Sequence, residues 1–389
     1  MHDTSIVFSL FLVFTGAAVI ATAALYARQA LLVAYIALGV LLGPWAFDLV
    51  GNPELIGDIS NVGILFLLFL LGLNLEPAEL KKLFREAIVV TGVSSLAFAL
   101  LGAVVALVFG FGALDVLLIG ATMMFSSTII ALKLLPTSAL HQQRMGEIIV
   151  SVLLLQDMLA IAVLLALESL GNPDSLAHET LLLVLGLPAL AALAWLVSTR
   201  VLTRLFLRFD QIQEYLFLVA IGWCLGLSQL ATIVGLSHEI GAFIAGVTLA
   251  TSPIARFIAE SLKPIRDFFL VLFFFALGAS VDIGRLPEVL LPALVLAALS
   301  ITVKPLVFKK LFERDHETAR RAAETGARLG HISEFSLLVV VVAAGLDLMS
   351  ERAALLMQSA TILSFIGSSF WIVRRYPTPI APTRELRRD

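Results

Sequence analysis

Apolar runs of about twenty residues recur along the whole 389-residue chain, and they constrain its fold more than any other feature. Hydrophobic residues make up 60% of the sequence and charged residues only 14%. Inside a bilayer the backbone must satisfy its own hydrogen bonds, so runs of this length predict spanning helices. We therefore predict an all-α polytopic membrane protein.

Thirteen spans are predicted from these runs. They cover residues 5–26, 30–44, 58–74, 87–109, 114–135, 146–169, 180–202, 212–235, 238–251, 266–283, 287–309, 319–346 and 352–373. The first span is expected to be retained, because no basic region or cleavage site accompanies it. An odd number of spans places the two termini on opposite sides of the membrane.

The distribution of lysine and arginine supports this layout, because cytoplasmic loops are enriched in basic residues. Segments on the C-terminal side hold 22 of the 26 basic residues. The other side holds Arg285 and Arg352, while Lys133 and Lys304 fall within spans. We predict a cytoplasmic C-terminus and an external N-terminus. The net charge of −3 gives no indication of nucleic-acid binding, and the single cysteine, Cys224, excludes a disulfide within the chain.

The sequence contains an internal repeat. Gly72, in FLLGLNLEP, aligns with Gly278, in FFALGASVDI, 206 residues later. Near the same offset, residues 35–44 align with residues 242–253. Matching spans are seven apart, so the two copies are predicted to have opposite orientations. Inverted repeats are typical of secondary transporters, whose sites lie between the repeats near interrupted helices.

The offset also relates two polar interruptions of otherwise apolar spans. Ser126, Ser127 and Thr128 interrupt the fifth span. The segment 330–335, which includes Ser333 and Glu334, interrupts the twelfth span at the equivalent place. Unwound backbone in a dry interior offers carbonyl groups and helix ends to an ion. The pair of interruptions therefore predicts an ion-binding site.

Gln156 and Asp157 form an adjacent polar pair in the middle of the apolar run 145–168. An aspartate at that depth is unfavourable by about 2.5–3.5 kcal/mol, so it requires a partner, a proton or a bound cation. A structural hydrogen bond in helix packing is the alternative explanation. Lys304 is predicted either to extend towards the cytoplasmic interface or to be a buried charge partner of Asp157 or Glu334. Glu334 is either a second titrating group or a structural hydrogen-bonding residue.

Seven motifs in order resemble the monovalent cation:proton antiporter-2 family, in particular the membrane domain of Kef-type potassium:proton antiporters. They are GVLLGPW (39–45), FLLGLNLEP (69–77), FSSTIIAL (125–132), LLQDMLAI (154–161), GAFIAGVTLA (241–250), FFALGASVDI (274–283) and SEFSLLV (333–339). The resemblance implies a sodium/proton antiporter-like fold in a bacterial inner membrane, with two broken helices crossing beside Asp157. Lys304 matches the basic residue that members of this family have in their eleventh span.

The resemblance further implies an elevator-type mechanism in a homodimer. The dimerisation part would comprise residues 1–76 and 212–283, and the ion-translocating core residues 87–170 and 287–374. Residues 180–211 would form a linker helix and residues 375–389 a cytoplasmic tail. A Gln-Asp pair is typical of the members that favour potassium over sodium.

Three departures from the family pattern stand out. Lys133 stands where Kef-type relatives often have glutamine. Leu329-Gly330-His331 replaces a glycine-rich Gly-Gln-Gly lead-in to the second interruption. No nucleotide-binding domain follows the last span in this sequence, so glutathione or nucleotide gating is not carried over. A separate cytoplasmic regulatory subunit is an expected partner, and no cofactor or enzyme activity is expected.

The leading hypothesis is a cation:proton antiporter in which Asp157 alternates between a proton and a monovalent cation, K⁺ or Na⁺. Ser126, Ser127, Thr128 and nearby carbonyls would complete the ion shell, together with Ser333 and Glu334. A Na⁺/H⁺ antiporter and a gated cation efflux channel on the same fold are alternatives. A membrane sensor or assembly scaffold is a third hypothesis.

Overall fold

The structure is a computed structural model that describes most of the chain. It covers residues 6–50 except 28 and 30, residues 62–134 except 67, 71 and 74–76, residues 144–170, and residues 186–378 except 235, 237, 253 and 316. Within these ranges the regular secondary structure is entirely helical. The predicted all-α class is therefore confirmed for this part of the chain.

Fifteen α-helices are numbered here in chain order. They are α1 (Ile6–Tyr26), α2 (Leu31–Leu42), α3 (Pro77–Val108), α4 (Ala113–Met123), α5 (Thr128–Lys133), α6 (Arg144–Leu170), α7 (Leu187–Val197), α8 (Thr203–Arg208), α9 (Gln213–Ile233), α10 (His238–Leu249), α11 (Ala255–Ala279), α12 (Leu286–Arg314), α13 (Ala319–Leu329), α14 (Glu334–Gly345) and α15 (Glu351–Arg375). A π-helical turn, Ser198–Leu202, joins α7 to α8. Shorter helical pieces lie at residues 62–66, 68–70 and 72–73.

Seven described helical stretches are long and apolar enough to cross a membrane. They are Ile6–Tyr26, Ala87–Val108, Leu187–Arg208, Gln213–Ile233, Leu286–Arg314, Ala319–Gly345 and Glu351–Arg375. Shorter apolar helices accompany them, among them Leu31–Leu42 and Ile240–Leu249. These helices support a multi-pass membrane protein, while the number thirteen stays a prediction.

One predicted span forms only part of a longer helix. The span predicted to begin at residue 266 belongs to α11, which begins at Ala255. Pro264 lies inside this helix. The charged residues around this proline suggested a loop, yet α11 continues through them with one strongly polar face. Residues 180–185, at the start of another predicted span, lie outside the described residues.

The described helices fall into two compact units. One unit contains α1 and α2, most of α3, the helices α4 and α5, most of α6, and the chain from Leu277 through α15. The other contains the helical pieces at 62–73, helices α7–α10 and most of α11. The first unit groups α1 and α2 with the helix that carries Asp157. The assignment of dimerisation and core parts remains a prediction.

The internal repeat is visible in the ends of the helices. Helix α4 begins at Ala113 and ends at Met123, and α13 begins at Ala319 and ends at Leu329. Both pairs of ends are separated by the offset of the sequence repeat. The same offset separates the start of α5 from that of α14, and the end of α3 from that of α12. The repeat therefore relates helices whose boundaries coincide.

Glycine contacts repeat in the same way in each unit. A Cβ on Gly278 would collide with the backbone of Ile36 and lie 3.0 Å from the nitrogen of Val40. A Cβ on Gly72 would collide with the backbone of Phe243 and lie 2.8 Å from the nitrogen of Val247. Phe243 and Val247 lie 207 residues after Ile36 and Val40, respectively. Equivalent glycines therefore allow equivalent backbone contacts, because only a residue without a side chain fits there.

A buried apolar core holds α6 in the first unit. Ile149 and Leu153 of α6 pack with residues of α3 and α12. The rings of Phe98 and Phe308 join the latter two helices, with centroids 5.2 Å apart in an edge-to-face arrangement. This core fixes the helix that carries Gln156 and Asp157.

Candidate functional site

The first interruption lies between α4 and α5, at residues 124–127. Hydroxyl side chains compete with the helical backbone for hydrogen bonds and favour the first position of a helix. Ser127 acts in this way, because its Oγ accepts a hydrogen bond of 3.2 Å from the backbone nitrogen of Ile130. Helix α5 therefore restarts immediately after this serine.

The second interruption lies between α13 and α14, at residues 330–333. Ser333 caps α14, because its Oγ accepts a hydrogen bond of 3.1 Å from the nitrogen of Phe335. Ser127 and Ser333 are equivalent in the repeat, since they are 206 residues apart. The two predicted interruptions therefore coincide with observed breaks that end on equivalent serine caps.

Each break also donates a backbone N–H to a side chain of a neighbouring helix, α6 for the first break and α15 for the second. The nitrogen of Ser126 donates to Oε1 of Gln156 at 3.0 Å. The nitrogen of Ile332, the equivalent of Ser126 in the repeat, donates to Oγ of Ser364 at 3.2 Å. Gln156 makes a second contact, from Nε2 to the carbonyl of Met124 at 3.1 Å. Both ends of the Gln156 amide are therefore engaged by the backbone of the first break.

Asp157 is buried, with 1% of its surface exposed, and it faces the start of α5. The hydroxyl of Thr128 donates to its carboxylate at 3.1 Å from Oδ2 and 3.4 Å from Oδ1. The carboxyl group of Glu334, which is also buried, lies within electrostatic range of Asp157. The side chains that begin α5 and α14 thus both lie near the Asp157 carboxyl group.

Lys304 is fully buried in α12, and its ammonium group bonds to three backbone carbonyls. Nζ lies 3.2 Å from the oxygen of Met123, 2.8 Å from that of Phe125 and 3.0 Å from that of His331. Carbonyls of both breaks therefore share one positive charge. The side chain does not extend to the cytoplasmic interface, which excludes one of the two explanations considered for it.

Close packing of α12 and α13 brings Lys304 near both breaks. A Cβ on Gly326 would lie 2.5 Å from the carbonyl oxygen of Pro305, and one on Gly330 would collide with the Pro305 ring. These glycines let α13 approach the turn of α12 that carries Lys304. The lysine can therefore reach both breaks.

The structure brings most of the predicted site residues together. Contacts to the Gln156–Asp157 pair or to the second break are made by Ser126, Ser127 and Thr128. Oγ of Ser126 donates to the carbonyl of Leu329, at the end of α13, at 2.8 Å. The nitrogen of Ser127 donates to Nδ1 of His331 at 3.0 Å, so the two breaks are in direct contact. Among described residues the ion pairs do not include one between Lys304 and Asp157. A charge-partner role for Lys304 and an ion-binding role for Ser333 and Glu334 stay predictions.

Four residues that take part in these contacts were not predicted from the sequence. The carbonyls of Met123 and Phe125 have no signal in their side chains. Ser364 lies in α15 among several other buried serines, and only its repeat relation to Asp157, 207 residues earlier, could have singled it out. Arg328, which is fully buried at the end of α13, looked like one more cytoplasmic basic residue.

This arrangement can bind a cation or a proton at one carboxylate. The carboxylate of Asp157 can accept a proton or contribute a negative charge to a cation, and the hydroxyl of Thr128 lies beside it. The positive charge of Lys304 is held by carbonyls at the junction of the breaks. The ionisable centre therefore lies where two helix interruptions meet, as expected for a transport site.

The chain matches known transport proteins over most of its length. The description "Sodium/hydrogen exchanger, transmembrane" fits residues 9–375. The iron transporter MagA of Paramagnetospirillum magneticum is 29% identical over 372 residues, which are 92% of this chain and 84% of MagA. K(+) efflux antiporter 4 of Arabidopsis thaliana is 30% identical over 355 residues, covering 87% of this chain and 59% of the relative.

A bacterial potassium-efflux protein is similarly related. The glutathione-regulated potassium-efflux system protein KefC of Salmonella typhi is 30% identical over 346 residues, 87% of this chain and 55% of KefC. The chain thus spans little more than half the length of these two potassium-efflux relatives.

Apolar helices, facing breaks and a buried ionisable centre define a membrane transport protein. The chain belongs to the sodium/hydrogen exchanger family, among the Kef-type monovalent cation:proton antiporters. The family resemblance drawn from the seven sequence motifs is confirmed.

Proposed function

We propose that this protein is a secondary active antiporter that exchanges a monovalent cation, K⁺ in preference to Na⁺, for protons. The observation that carries the proposal is the buried carboxylate of Asp157, bonded to Thr128 at the start of a broken helix. A cation and a proton compete for this one carboxylate. Because the site cannot hold both, the release of one accompanies the binding of the other.

The neighbours of Asp157 support a single titrating acid at the central pair. Gln156 cannot ionise, and its amide is bonded at both ends to the first break. Lys304 contributes a charge that three carbonyls hold in place. The potassium preference rests on the Gln156–Asp157 pair and on two relatives whose names describe potassium efflux.

The remaining parts of the proposal follow the family architecture. Residues 87–170 and 287–374 would form the moving core of an elevator, and residues 1–76 and 212–283 the dimer contact. The N-terminus would be outside and the C-terminus in the cytoplasm of a bacterial inner membrane. A homodimer and a separate cytoplasmic regulatory subunit complete the proposed assembly.

Reconstituted vesicles containing a pH-sensitive dye test the exchange. Gradients of potassium, sodium, lithium and rubidium are imposed in turn on the purified protein. An antiporter lets a cation gradient drive protons against their own gradient, with the strongest response to potassium. Cation flux that never drives protons uphill would indicate a channel instead. Strict dependence on sodium would replace the potassium assignment with a Na⁺/H⁺ antiporter.

A further inference from the structure

His331 lies in the second break but bonds to the first. Its Nδ1 is 3.0 Å from the backbone nitrogen of Ser127, and its Nε2 is 2.8 Å from the carbonyl oxygen of Arg328. His331 and Ser127 are both fully buried. This histidine stands in the Leu329-Gly330-His331 segment that departs from the family pattern.

These two contacts assign the tautomer of the imidazole. A backbone N–H can only donate, so Nδ1 must accept and carries no proton. A carbonyl oxygen can only accept, so Nε2 must carry the proton and donate it. Both contacts require the same neutral form, with hydrogen on Nε2. The ring therefore bridges a donor in one break and an acceptor in the other.

Arg328 contacts the other end of α5, the short helix that follows Ser127. Its guanidinium donates to the carbonyl of Leu134, at the end of α5, at 2.8 Å, and to the carbonyl of Pro377 at 2.7 Å. A pair with Glu324, at 2.8 Å, completes its bonding. Carbonyl groups at the end of a helix lack partners within it, so a guanidinium is a favourable partner there. The two ends of α5 are thus attached to residues three apart in the chain, Arg328 at the end of α13 and His331 in the second break.

We propose that Arg328 and His331, called here the α5 clamp, are positioning residues that hold α5 to the second break. The clamp fixes Ser127 at one end of α5 and Leu134 at the other. Thr128 follows Ser127 directly and supplies the hydroxyl bonded to Asp157. The clamp therefore sets the position of that hydroxyl and makes the two breaks move together. This inference rests on the proposed function, because it names what aligns the exchange site.

A histidine that positions α5 and a histidine that only fills space in the core predict different effects of substitution. Removal of the imidazole leaves the buried N–H of Ser127 without its acceptor. An unpaired buried N–H strongly disfavours the packing of α5 against the second break. The effect should be local to α5 and to cation binding. A variant that restores only the acceptor should then restore binding, whereas a general packing defect would not be repaired by a smaller polar residue.

The test compares His331→Leu with His331→Asn in the full chain. Leucine has no hydrogen-bonding group, while the Oδ1 of asparagine occupies the place of Nδ1 and can accept from Ser127. Ser336→Ala is the matched control, because Ser336 bonds to the carbonyl of Thr122 and joins α14 to α4 away from the clamp. Arg328→Met tests the other end of α5.

Two measurements are made on each variant. Vesicle assays give the half-saturating potassium concentration and the maximal rate separately. Hydrogen–deuterium exchange, followed by mass spectrometry, gives the protection of backbone amides in residues 124–134. The second measurement does not depend on transport.

We expect His331→Leu to raise the half-saturating potassium concentration about tenfold, with a smaller change in maximal rate, as expected for a lost binding geometry. His331→Asn should return it to within about threefold and Ser336→Ala should stay within about twofold of the original protein. Amides at the start of α5 should exchange faster in His331→Leu, and those at its end faster in Arg328→Met.

Unchanged protection of residues 124–134 in a folded His331→Leu protein would overturn the clamp, and so would an asparagine variant no better than leucine. If His331→Leu does not fold, the comparison of His331→Asn and Arg328→Met with Ser336→Ala still decides the question. Absence of cation-driven proton movement in the original protein would refute the proposed function alone, because the amide protection tests the clamp independently.

Discussion

The ammonium group of Lys304 lies 4.8 Å from the centre of the Phe98 ring, and the two residues are 206 positions apart. They occupy equivalent places in the repeat, since the ends of α3 and α12 are separated by the same offset. One copy thus supplies a cation and the other the aromatic face on which it rests. The two related helices carry different side chains where they meet, so this contact holds one ammonium group and one aromatic ring rather than two like residues.

Lys304→Met should lower the free energy of unfolding by about 3 kcal/mol, because it leaves carbonyls of both breaks without a buried donor. Phe98→Leu removes the ring contact but keeps the carbonyl bonds, so about 1–2 kcal/mol is expected. Thermal unfolding in detergent, followed by size-exclusion chromatography, ranks the stabilities of the two variants and the original protein. A Lys304→Met protein as stable as the original would contradict the structural importance of these bonds.

Asp157→Asn should abolish cation-driven proton exchange in dye-loaded vesicles. The amide keeps the size of the carboxyl group but can neither titrate nor offer a full negative charge. The variant should still insert into the membrane and keep its melting temperature within a few degrees, since Thr128 can still donate to the amide oxygen. Exchange at the original rate would end the proposed mechanism.

Gln156→Glu should reduce the exchange rate about tenfold or more, because the site loses a donor to the carbonyl of Met124. The carboxylate can still accept from Ser126, so the protein should fold. It would also place a second acid beside Asp157. Rates measured in the same vesicles with and without the substitution test this, and an unchanged rate would show that the Met124 contact is dispensable.

Gly278→Ala and Gly72→Ala should each destabilise the protein, because the added methyl group meets backbone atoms that cannot move aside. Gly222→Ala is the control: this glycine lies inside α9, and a Cβ there meets nothing within 4 Å. It should be neutral or stabilising by about 0.5–1 kcal/mol, owing to the better helix propensity of alanine. Equal melting temperatures for all three variants would refute the close contacts.

Exchange is expected to be electroneutral, one cation for one proton, because the central pair contains one acid. Recordings of transport current on a supported membrane should show none that follows the ion gradient. Glu334 is the candidate for a second titrating group, because its carboxyl group lies within electrostatic range of Asp157. A current that reverses with the gradient and disappears in Glu334→Gln would make Glu334 a second transport residue.

The breaks could be predicted from sequence because their signals reside in side chains. Ser126, Ser127 and Thr128 are conspicuous in an apolar span, and Ser333 and Glu334 recur at the right distance. The candidate site at Asp157 could be proposed for the same reason, since a carboxyl group in the middle of a span is energetically unfavourable without a partner, a proton or a cation.

The partners of Lys304 and the engagement of His331 could not be predicted in this way. Lys304 bonds to main-chain oxygens of Met123 and Phe125, whose apolar side chains suggest only packing. The imidazole of His331 contacts Ser127, which is far away in sequence. Such contacts depend on how the chain folds back on itself, and no local pattern encodes them.

The fully buried ammonium group of Lys304 is therefore recognised by atoms that every amino acid possesses. Exchanging Met123 or Phe125 for another apolar residue leaves the oxygen that Lys304 contacts chemically unchanged. What can remove it is a change in the path of the main chain, such as one imposed by proline. Damage at these positions should follow the backbone conformation a residue permits rather than the functional group it carries, so conventional alanine scanning would pass over them.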